Sequence, residues 1–220
     1  MGHFQFLAQP VWVNLLVLTP FALYFVGRSR SIQISGRQFL FATCFALAFG
    51  FVEAAVVVYL HAATGLLPGY TRTSSEVQRS GVTPQQLPPI SELPQSLLTI
   101  KELPQSLLTV EVLREGATIV MLLSIALLAE SRAKERWALF LWTFAWWDIS
   151  YYVALWATIR WPTSLKDLDI LFLIPVPWVA QVWFPLLVSA LTLIAVGLSK
   201  KQIRVRAVFV HSKYRWWLLR

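Results

Sequence analysis

Long, unbroken blocks of apolar residues constrain the fold of this chain more than any other feature. Five blocks occur, each close to the ~20 residues that an α-helix needs to cross the hydrocarbon core of a bilayer. Only 14% of the 220 residues are charged, whereas a typical soluble domain carries about 25%. The sequence therefore predicts an all-α fold, a polytopic transmembrane helical bundle with about five spans. The predicted spans are residues 9–26, 39–62, 112–129, 137–159 and 170–198.

The placement of Lys and Arg predicts how these spans are oriented. Basic residues concentrate in the cytoplasmic connections of helical membrane proteins. Most of the 19 Lys and Arg residues here lie in the connections after spans one and three and in the segment 200–220. The N-terminus is therefore predicted to be outside, and the C-terminal tail, 200–220, to be in the cytoplasm. The same distribution explains the net charge of +8 without a nucleic-acid partner.

The tail ends in KYRWWLLR, which mixes basic residues with Trp216, Trp217, Leu218 and Leu219. Basic and aromatic side chains together suit adsorption to an anionic membrane surface. A solvated tail that only follows the positive-inside bias explains this composition equally well. The lipid bilayer is thus the predicted partner, and the anionic inner leaflet is the surface that the tail contacts.

A Pro-rich connection, residues 63–111, separates the second and third spans and holds half of the chain's 12 prolines. It contains ELPQSLLT twice, in the consecutive segments SELPQSLLTI and KELPQSLLTV. A solenoid needs three or more stacked repeats, so two ten-residue copies do not make a repeat fold, and a duplicated spacer is favoured over a recognition element. Proline is tolerated in the first turn of a helix, and the second copy can therefore begin the third span. Residues 1–199 are predicted to form one transmembrane domain that includes this exterior loop.

Ionisable and polar residues inside the predicted spans are functional candidates, because charge in hydrocarbon is costly. With a helical rise of 1.5 Å per residue, such residues from four spans fall into one layer in the outer half of the bilayer. Glu111 and Thr118 share a helix face with Glu115. Arg114 begins a span at the depth of Glu53, so Arg114 is predicted to pair with Glu53 or Glu115. The predicted cluster consists of Glu53, Arg114, Glu115, Asp148, Tyr151, Tyr152 and Gln181.

Three prolines interrupt the fifth span, at Pro175, Pro177 and Pro185. Each removes a backbone donor, and irregular backbone at membrane depth needs protein or a wet cavity to satisfy it. The stretch from Ile170 to Pro177 is therefore predicted to be a broken or re-entrant entry to the span. A simple interfacial kink is the alternative.

Familiar catalytic and nucleotide-binding motifs are absent from the sequence. It has no Gly-rich phosphate loop, no G-x-S-x-G and no H-E-x-x-H. Its single cysteine, Cys44, cannot form an internal disulfide. The sequence therefore assigns no cofactor and no metal, although Glu53, Glu115, Asp148 and His61 leave a carboxylate metal site open.

Four motifs, FVEAAVVVYL, LREGATIVML, WDISYY and DILFLIPVPW, lie between residues 39 and 185. Together they resemble a family of small, uncharacterised bacterial polytopic membrane proteins, for which no activity is known. The resemblance implies the same helical architecture, a location in the bacterial cytoplasmic (inner) membrane, and importance for the polar residues within the motifs. The family pattern has Arg or Lys after the Tyr-Leu of the second span, where this chain has His61, so no role is carried over to that position.

These features favour a small integral membrane protein that serves as a structural or accessory subunit of a membrane complex. The polar layer would then hold helices together, and other membrane subunits would be partners. Two further classes stay open: a transporter or proton-relay protein that uses Glu53 and Asp148, and an outward-opening intramembrane enzyme or metal site. A bound ion, lipid or substrate in an outer-half cavity would separate these classes from a purely structural role.

Overall fold

The computed structural model describes residues 8–29, 32–64 and 105–199, and these ranges are mostly helical. A short 3-10 helix, Val11–Val17, leads directly into the first α-helix. Two strands, β1 (Leu168–Phe172) and β2 (Trp178–Gln181), lie before the last helix. The predominantly helical character of the chain is therefore confirmed. The α-helices are α1 (Leu18–Ser29), α2 (Gly36–Thr64), α3 (Gln105–Ala129), α4 (Ala133–Ile159) and α5 (Trp183–Ser199).

Two of these helices are long and apolar enough to cross a membrane, over Gly36–Ala62 and Leu108–Ala129. The segments Val11–Gly27 and Trp183–Ser199 form shorter apolar helices. Each of the five predicted spans overlaps a helix in the part of the chain that the structure describes. Length and composition support two crossings within those residues, so the five-span bundle stays a prediction.

Small residues at every fourth position let α2 and α4 approach closely. Ala42, Ala46, Gly50 and Ala54 recur at the spacing that places them on one helix face, and all four are buried. Small residues at such a seam allow two helix backbones to come together. The Ser150 hydroxyl of α4 accordingly donates to the backbone carbonyl of Ala46, at 3.3 Å. Among α1 to α4, the pair α2–α4 makes the most extensive helix contact.

One end of the bundle is formed by the segment before α2 and the turn between α3 and α4. Ile32 and Ile34 pack there with Phe39 and Leu139 in an apolar cluster. The Glu135 side chain is only 1% exposed. Its Oε1 accepts a hydrogen bond from the Gln33 backbone N–H at 3.3 Å and lies 3.3 Å from Lys134 Nζ. This end therefore combines apolar packing with a buried, partnered carboxylate.

The other end of the bundle is closed by a β-hairpin, which corrects the predicted fifth span, 170–198. Strands β1 and β2 pair antiparallel, with Asp169 opposite Ala180, and α5 begins only at Trp183. Prolines at 175 and 177 fall in the connection between the strands, where no ladder hydrogen bond is lost. The outer edge of β2 is paired as well, because Gln9 and Val179 exchange two backbone hydrogen bonds of 2.8 Å. The predicted irregular entry is confirmed as non-helical, and the hairpin satisfies its backbone.

The predicted exterior loop, 63–111, is shorter than expected at both ends. Helix α2 continues to Thr64, and α3 begins at Gln105, inside the second copy of ELPQSLLT. The prediction that this copy begins the third helix is thereby confirmed. The first copy, most of the Pro-rich loop and the tail, 200–220, lie outside the described residues.

The close approach of α2 and α4 makes Gly50 sensitive to substitution. A Cβ at this position would lie 2.6 Å from the Trp147 carbonyl oxygen and 3.0 Å from the Tyr151 nitrogen, both backbone atoms of α4. We expect Gly50→Ala to lower the free energy of unfolding by roughly 1–3 kcal/mol, since the helices must separate. Thermal unfolding of the purified protein, followed by tryptophan fluorescence, measures the change.

Gly116 provides the matched control for this substitution. A Cβ there meets nothing within 4 Å, and alanine is a better helix former than glycine by about 1 kcal/mol. Gly116→Ala should therefore leave the protein equally or more stable. Equal unfolding temperatures for the two variants would contradict a close seam at Gly50.

Candidate functional site

A cavity of about 140 Å³ lies inside the hairpin end of the bundle. Helices α2 and α4 end there, whereas α3 and α5 begin there, so the polar residues near those ends converge. The hairpin supplies one wall, from Asp169 to Leu173 and at Trp178. Leu16 of the 3-10 helix and Phe184 of α5 add apolar surface.

Six of the seven residues of the predicted polar cluster line this cavity. They are Glu53, Arg114, Glu115, Asp148, Tyr151 and Tyr152. Gln181 is not among the lining residues, which corrects its predicted place in the cluster. A continuous helical span would place Gln181 at the depth of the cluster, whereas Gln181 ends β2, opposite Leu168, and accepts a hydrogen bond from Trp183 Nε1 at 2.6 Å.

Arg114 is the centre of a buried ion-pair network at the cavity wall. It pairs with Glu53 of α2 and with Glu111 of its own helix, and Arg114 Nε donates to Glu111 Oε2 at 3.0 Å. Thr118 Oγ1 donates to the other oxygen of Glu53 at 2.7 Å, and Glu53 is only 4% exposed. The predicted pair between Arg114 and Glu53 is therefore confirmed. The Glu111 contact was missed, although its i,i+3 spacing to Arg114 could have revealed it.

Two carboxylates attach the hairpin to the helices. Glu115 Oε2 accepts a hydrogen bond from the backbone N–H of Leu173 at 2.7 Å, which ties the end of β1 to α3. Asp169 Oδ2 accepts one from the Tyr152 hydroxyl at 2.8 Å, which ties β1 to α4. Sequence reasoning missed Asp169 because it lies one residue before the predicted fifth span. Its place in the motif DILFLIPVPW was the available signal.

One oxygen of Asp148 accepts no hydrogen bond from the described residues. Its Oδ2 accepts a hydrogen bond from Ser189 Oγ of α5 at 2.8 Å, and the residue is 7% exposed. Oδ1 has no hydrogen-bond partner among the described residues, yet it is not sealed within the protein. The hydroxyl of Tyr151, one helical turn further along α4, is likewise without a hydrogen bond from any described residue. Two polar groups on one helix face thus have unused capacity toward the cavity.

Most of the carboxylates that line the cavity accept hydrogen bonds from neutral groups, which do not compensate their negative charge. Among the described residues that line the cavity, Arg114 is the one permanent cation. The donors from Thr118, Leu173, Ser189 and Tyr152 are all neutral. An isolated carboxylate in a low-dielectric environment is strongly destabilised unless a proton or a cation compensates it. The carboxylates of the lining are Glu53, Glu111, Glu115, Asp148 and Asp169.

Aromatic rings form a continuous wall beside Asp148. Phe172 of β1 is at its centre, with ring centroids 6.2 Å from Phe144, 6.3 Å from Trp147 and 5.4 Å from Trp178. Trp147 stacks in turn on Tyr151, at 6.2 Å. All five residues line the cavity. We call them the aromatic wall; apart from Tyr151, the sequence did not single them out.

The described side chains are not arranged as the carboxylate metal site that the sequence left open. Within residues 8–29, 32–64 and 105–199, no group of three or more His, Cys, Asp or Glu side chains is arranged to hold a metal ion. Glu53, Glu115 and Asp148 do share the cavity, but their bonded oxygens face different elements of the bundle.

Comparison with known proteins adds no relative to this description. No protein-family model, no curated protein and no solved structure matches the chain. The resemblance to a family of bacterial membrane proteins therefore stays a prediction. What the chain does has to be inferred from the cavity itself.

A double-mutant cycle tests the ion pair between Glu53 and Arg114. Arg114→Gln should destabilise the bundle by about 3–5 kcal/mol, because it leaves the buried charge of Glu53 uncompensated. Glu53→Gln should cost less, because Arg114 keeps its pair with Glu111. The double variant removes both charges, so it should lose less than the sum of the two single losses. The free energies of unfolding, measured for all four proteins in the same detergent, give the coupling.

Glu111→Gln is the control for this cycle. Arg114 would keep its bond to Glu53, and the Glu111 side chain is more exposed than that of Glu53, at 12% against 5%. We therefore expect a smaller loss than for Glu53→Gln. Strictly additive losses for Glu53 and Arg114 would refute an energetic coupling between them.

Proposed function

We propose that this protein is an integral membrane protein that binds a small monovalent cation in the cavity at the hairpin end of its bundle. The proposal belongs to the transporter or relay class that the sequence left open. Its main support is the charge imbalance of the lining, where five carboxylates surround one permanent cation among the described residues. Asp148, with its unused oxygen, is the group that would meet the bound cation.

The outer surface of the bundle supports a membrane environment with five spans. Large apolar side chains are exposed along its helices, including Phe25 at 65%, Leu113 at 68% and Leu128 at 86%. Soluble monomers rarely expose extended apolar surface, whereas lipid chains cover it without penalty. The shorter helices α1 and α5 and the 27-residue helix α4 would then cross beside α2 and α3.

The distribution of basic residues supports an orientation with the cavity toward the outside. Arg37 lies in the first turn of α2, Arg132 directly precedes α4, and Lys134 and Arg136 lie in the first turn of α4, all at the end opposite the hairpin. Positive residues favour the cytoplasmic side. In a bacterial inner membrane the hairpin end would face outward, and the basic tail, 200–220, would face the anionic inner leaflet.

The cavity itself favours ligand binding over a purely structural cluster. Protein interiors are normally packed to high density, so polar groups that only join helices need no space between them. An apolar cavity of about 150 Å³ accommodates benzene, so the volume of about 140 Å³ here suits a molecule of similar size. Asp148 and Tyr151 then present unused polar atoms to that molecule.

An accessory-subunit role is the second candidate function, and the Arg114 network favours it. Arg114, Glu53 and Thr118 join α2 to α3 and need no ligand to do so. Such a network fits a subunit whose partners are other membrane proteins. An accessory-subunit role does not explain why one oxygen of Asp148 is unused or why an open volume lies beside it.

Asp148→Asn separates these two functions. Asparagine keeps an acceptor for Ser189 but removes the negative charge, so we expect the fold to persist and the affinity for ethylammonium to fall at least tenfold. The probe is ethylammonium chloride, titrated calorimetrically into the purified chain, with ammonium and potassium chloride in parallel. Bound cation should also raise the unfolding temperature of the wild type, since it binds only the folded state.

Glu130→Gln is the matched control, because Glu130 is a carboxylate at the opposite end of the bundle and does not line the cavity. It should bind ethylammonium as the wild type does. Equal affinity in Asp148→Asn would refute the cation site at Asp148, and no binding of any of the three cations by the wild type would refute cation binding altogether. The accessory-subunit role would then be favoured.

Reporter fusions test the proposed orientation. A green fluorescent protein fused after Arg220 should fluoresce, because it folds in the bacterial cytoplasm but not after export through the general secretory pathway. Alkaline phosphatase inserted in the Pro-rich loop, between residues 65 and 104, should be active, because it folds outside. The reverse pattern would contradict the orientation.

A further inference from the structure

We infer that the bound cation is a protonated alkylamine, whose ammonium group meets Asp148 and Tyr151 and whose hydrocarbon group lies against the aromatic wall. This inference rests on the proposed function and names the chemical class of its ligand. It combines the two unused polar groups of α4 with the rings that surround them.

Unused hydrogen-bonding groups at the cavity indicate where the ammonium group of the ligand binds. Asp148 Oδ1 is an acceptor, and the Tyr151 hydroxyl can accept as well as donate. The two residues are three positions apart on α4, so they share a helix face. An alkylammonium group carries three N–H donors and can satisfy both acceptors at once.

The same geometry disfavours two other kinds of cation. A guanidinium group prefers a carboxylate with both oxygens available for a bidentate pair, whereas Ser189 already occupies Asp148 Oδ2. A hard metal ion requires several oxygen ligands in one shell. The described residues offer no cluster of three or more acidic, His or Cys ligands for it.

The aromatic wall indicates where the hydrocarbon group of the ligand lies. Trp147 and Phe172, whose ring centroids are 6.3 Å apart, both line the cavity with Asp148. Aromatic faces attract a cation and also cover apolar groups. Burying each added methylene should tighten binding about fourfold, until the ligand fills a volume of about 140 Å³.

A series of amines tests this inference on the purified full-length chain. Ammonium, ethylammonium, butylammonium, tetramethylammonium, guanidinium and potassium chlorides are titrated separately by calorimetry at constant ionic strength. Butylammonium should bind on the order of tenfold more tightly than ethylammonium, because it buries two more methylenes. Guanidinium and potassium should bind more weakly than ethylammonium.

Tyr151→Phe tests the ammonium end, because it removes a hydroxyl and keeps the ring. The affinity for butylammonium should fall roughly 3- to 10-fold through the lost hydrogen bond. The affinity for tetramethylammonium, which has no N–H donor, should not change. An equal loss for both ligands would overturn the role assigned to Tyr151.

Phe172→Leu tests the aromatic wall, and Phe140→Leu is its matched control. Both replace a partly buried Phe by Leu, but Phe140 does not line the cavity. The Phe172 variant should lose most of the preference for butylammonium over ammonium, and the Phe140 variant should keep it. Retention of the preference in both variants would overturn the role of the wall.

The pattern across ligands distinguishes failure of this inference from failure of the proposed function. If potassium or ammonium binds as tightly as butylammonium and binding still depends on Asp148, the alkylamine inference is overturned and cation binding stands. If none of the cations binds, both are overturned. Selective binding of butylammonium that depends on Asp148 supports both.

Discussion

Buried carboxylates need hydrogen-bond donors and a compensating positive charge, and this requirement shapes the whole hairpin end of the bundle. Arg114 meets it for Glu53 and Glu111, and in doing so it joins α2 to α3. The other carboxylates find neutral donors on a different element in each case. Arg114 with Glu53, Leu173 with Glu115, Ser189 with Asp148 and Tyr152 with Asp169 each join two parts of the fold, so these bonds hold the cavity walls together.

The hairpin depends on this network for its position and in turn encloses it. Glu115 holds the backbone at Leu173, and Asp169 receives the Tyr152 hydroxyl. Because the two strands pair with each other and β2 also pairs with Gln9, backbone hydrogen bonds support the segment where it covers the cavity. The rings of Phe172 and Trp178 are carried into the cavity wall by the same strands.

The seam between α2 and α4 determines how close these two helices lie at the site. Ala46, Gly50 and Ala54 let the two backbones meet, which brings Glu53 of one helix to the same level as Asp148 and Tyr151 of the other. Larger residues at this seam would separate the helices and widen the cavity. The small residues at the seam therefore also determine the position of the polar site, because both depend on how α2 packs against α4.

The sequence by itself determined where the helices lie, because apolar blocks interrupted by basic turns leave little choice. It also identified Glu53, Arg114, Asp148 and Tyr151, since ionisable groups stand out in apolar segments. Only the tertiary structure decided that Leu168 to Gln181 is a hairpin, because strand pairing joins residues that are apart in the sequence and short apolar runs fit either structure. Only the tertiary structure distinguished the paired oxygens of Glu53 from the unused oxygen of Asp148, because hydrogen bonds between helices depend on how their faces meet.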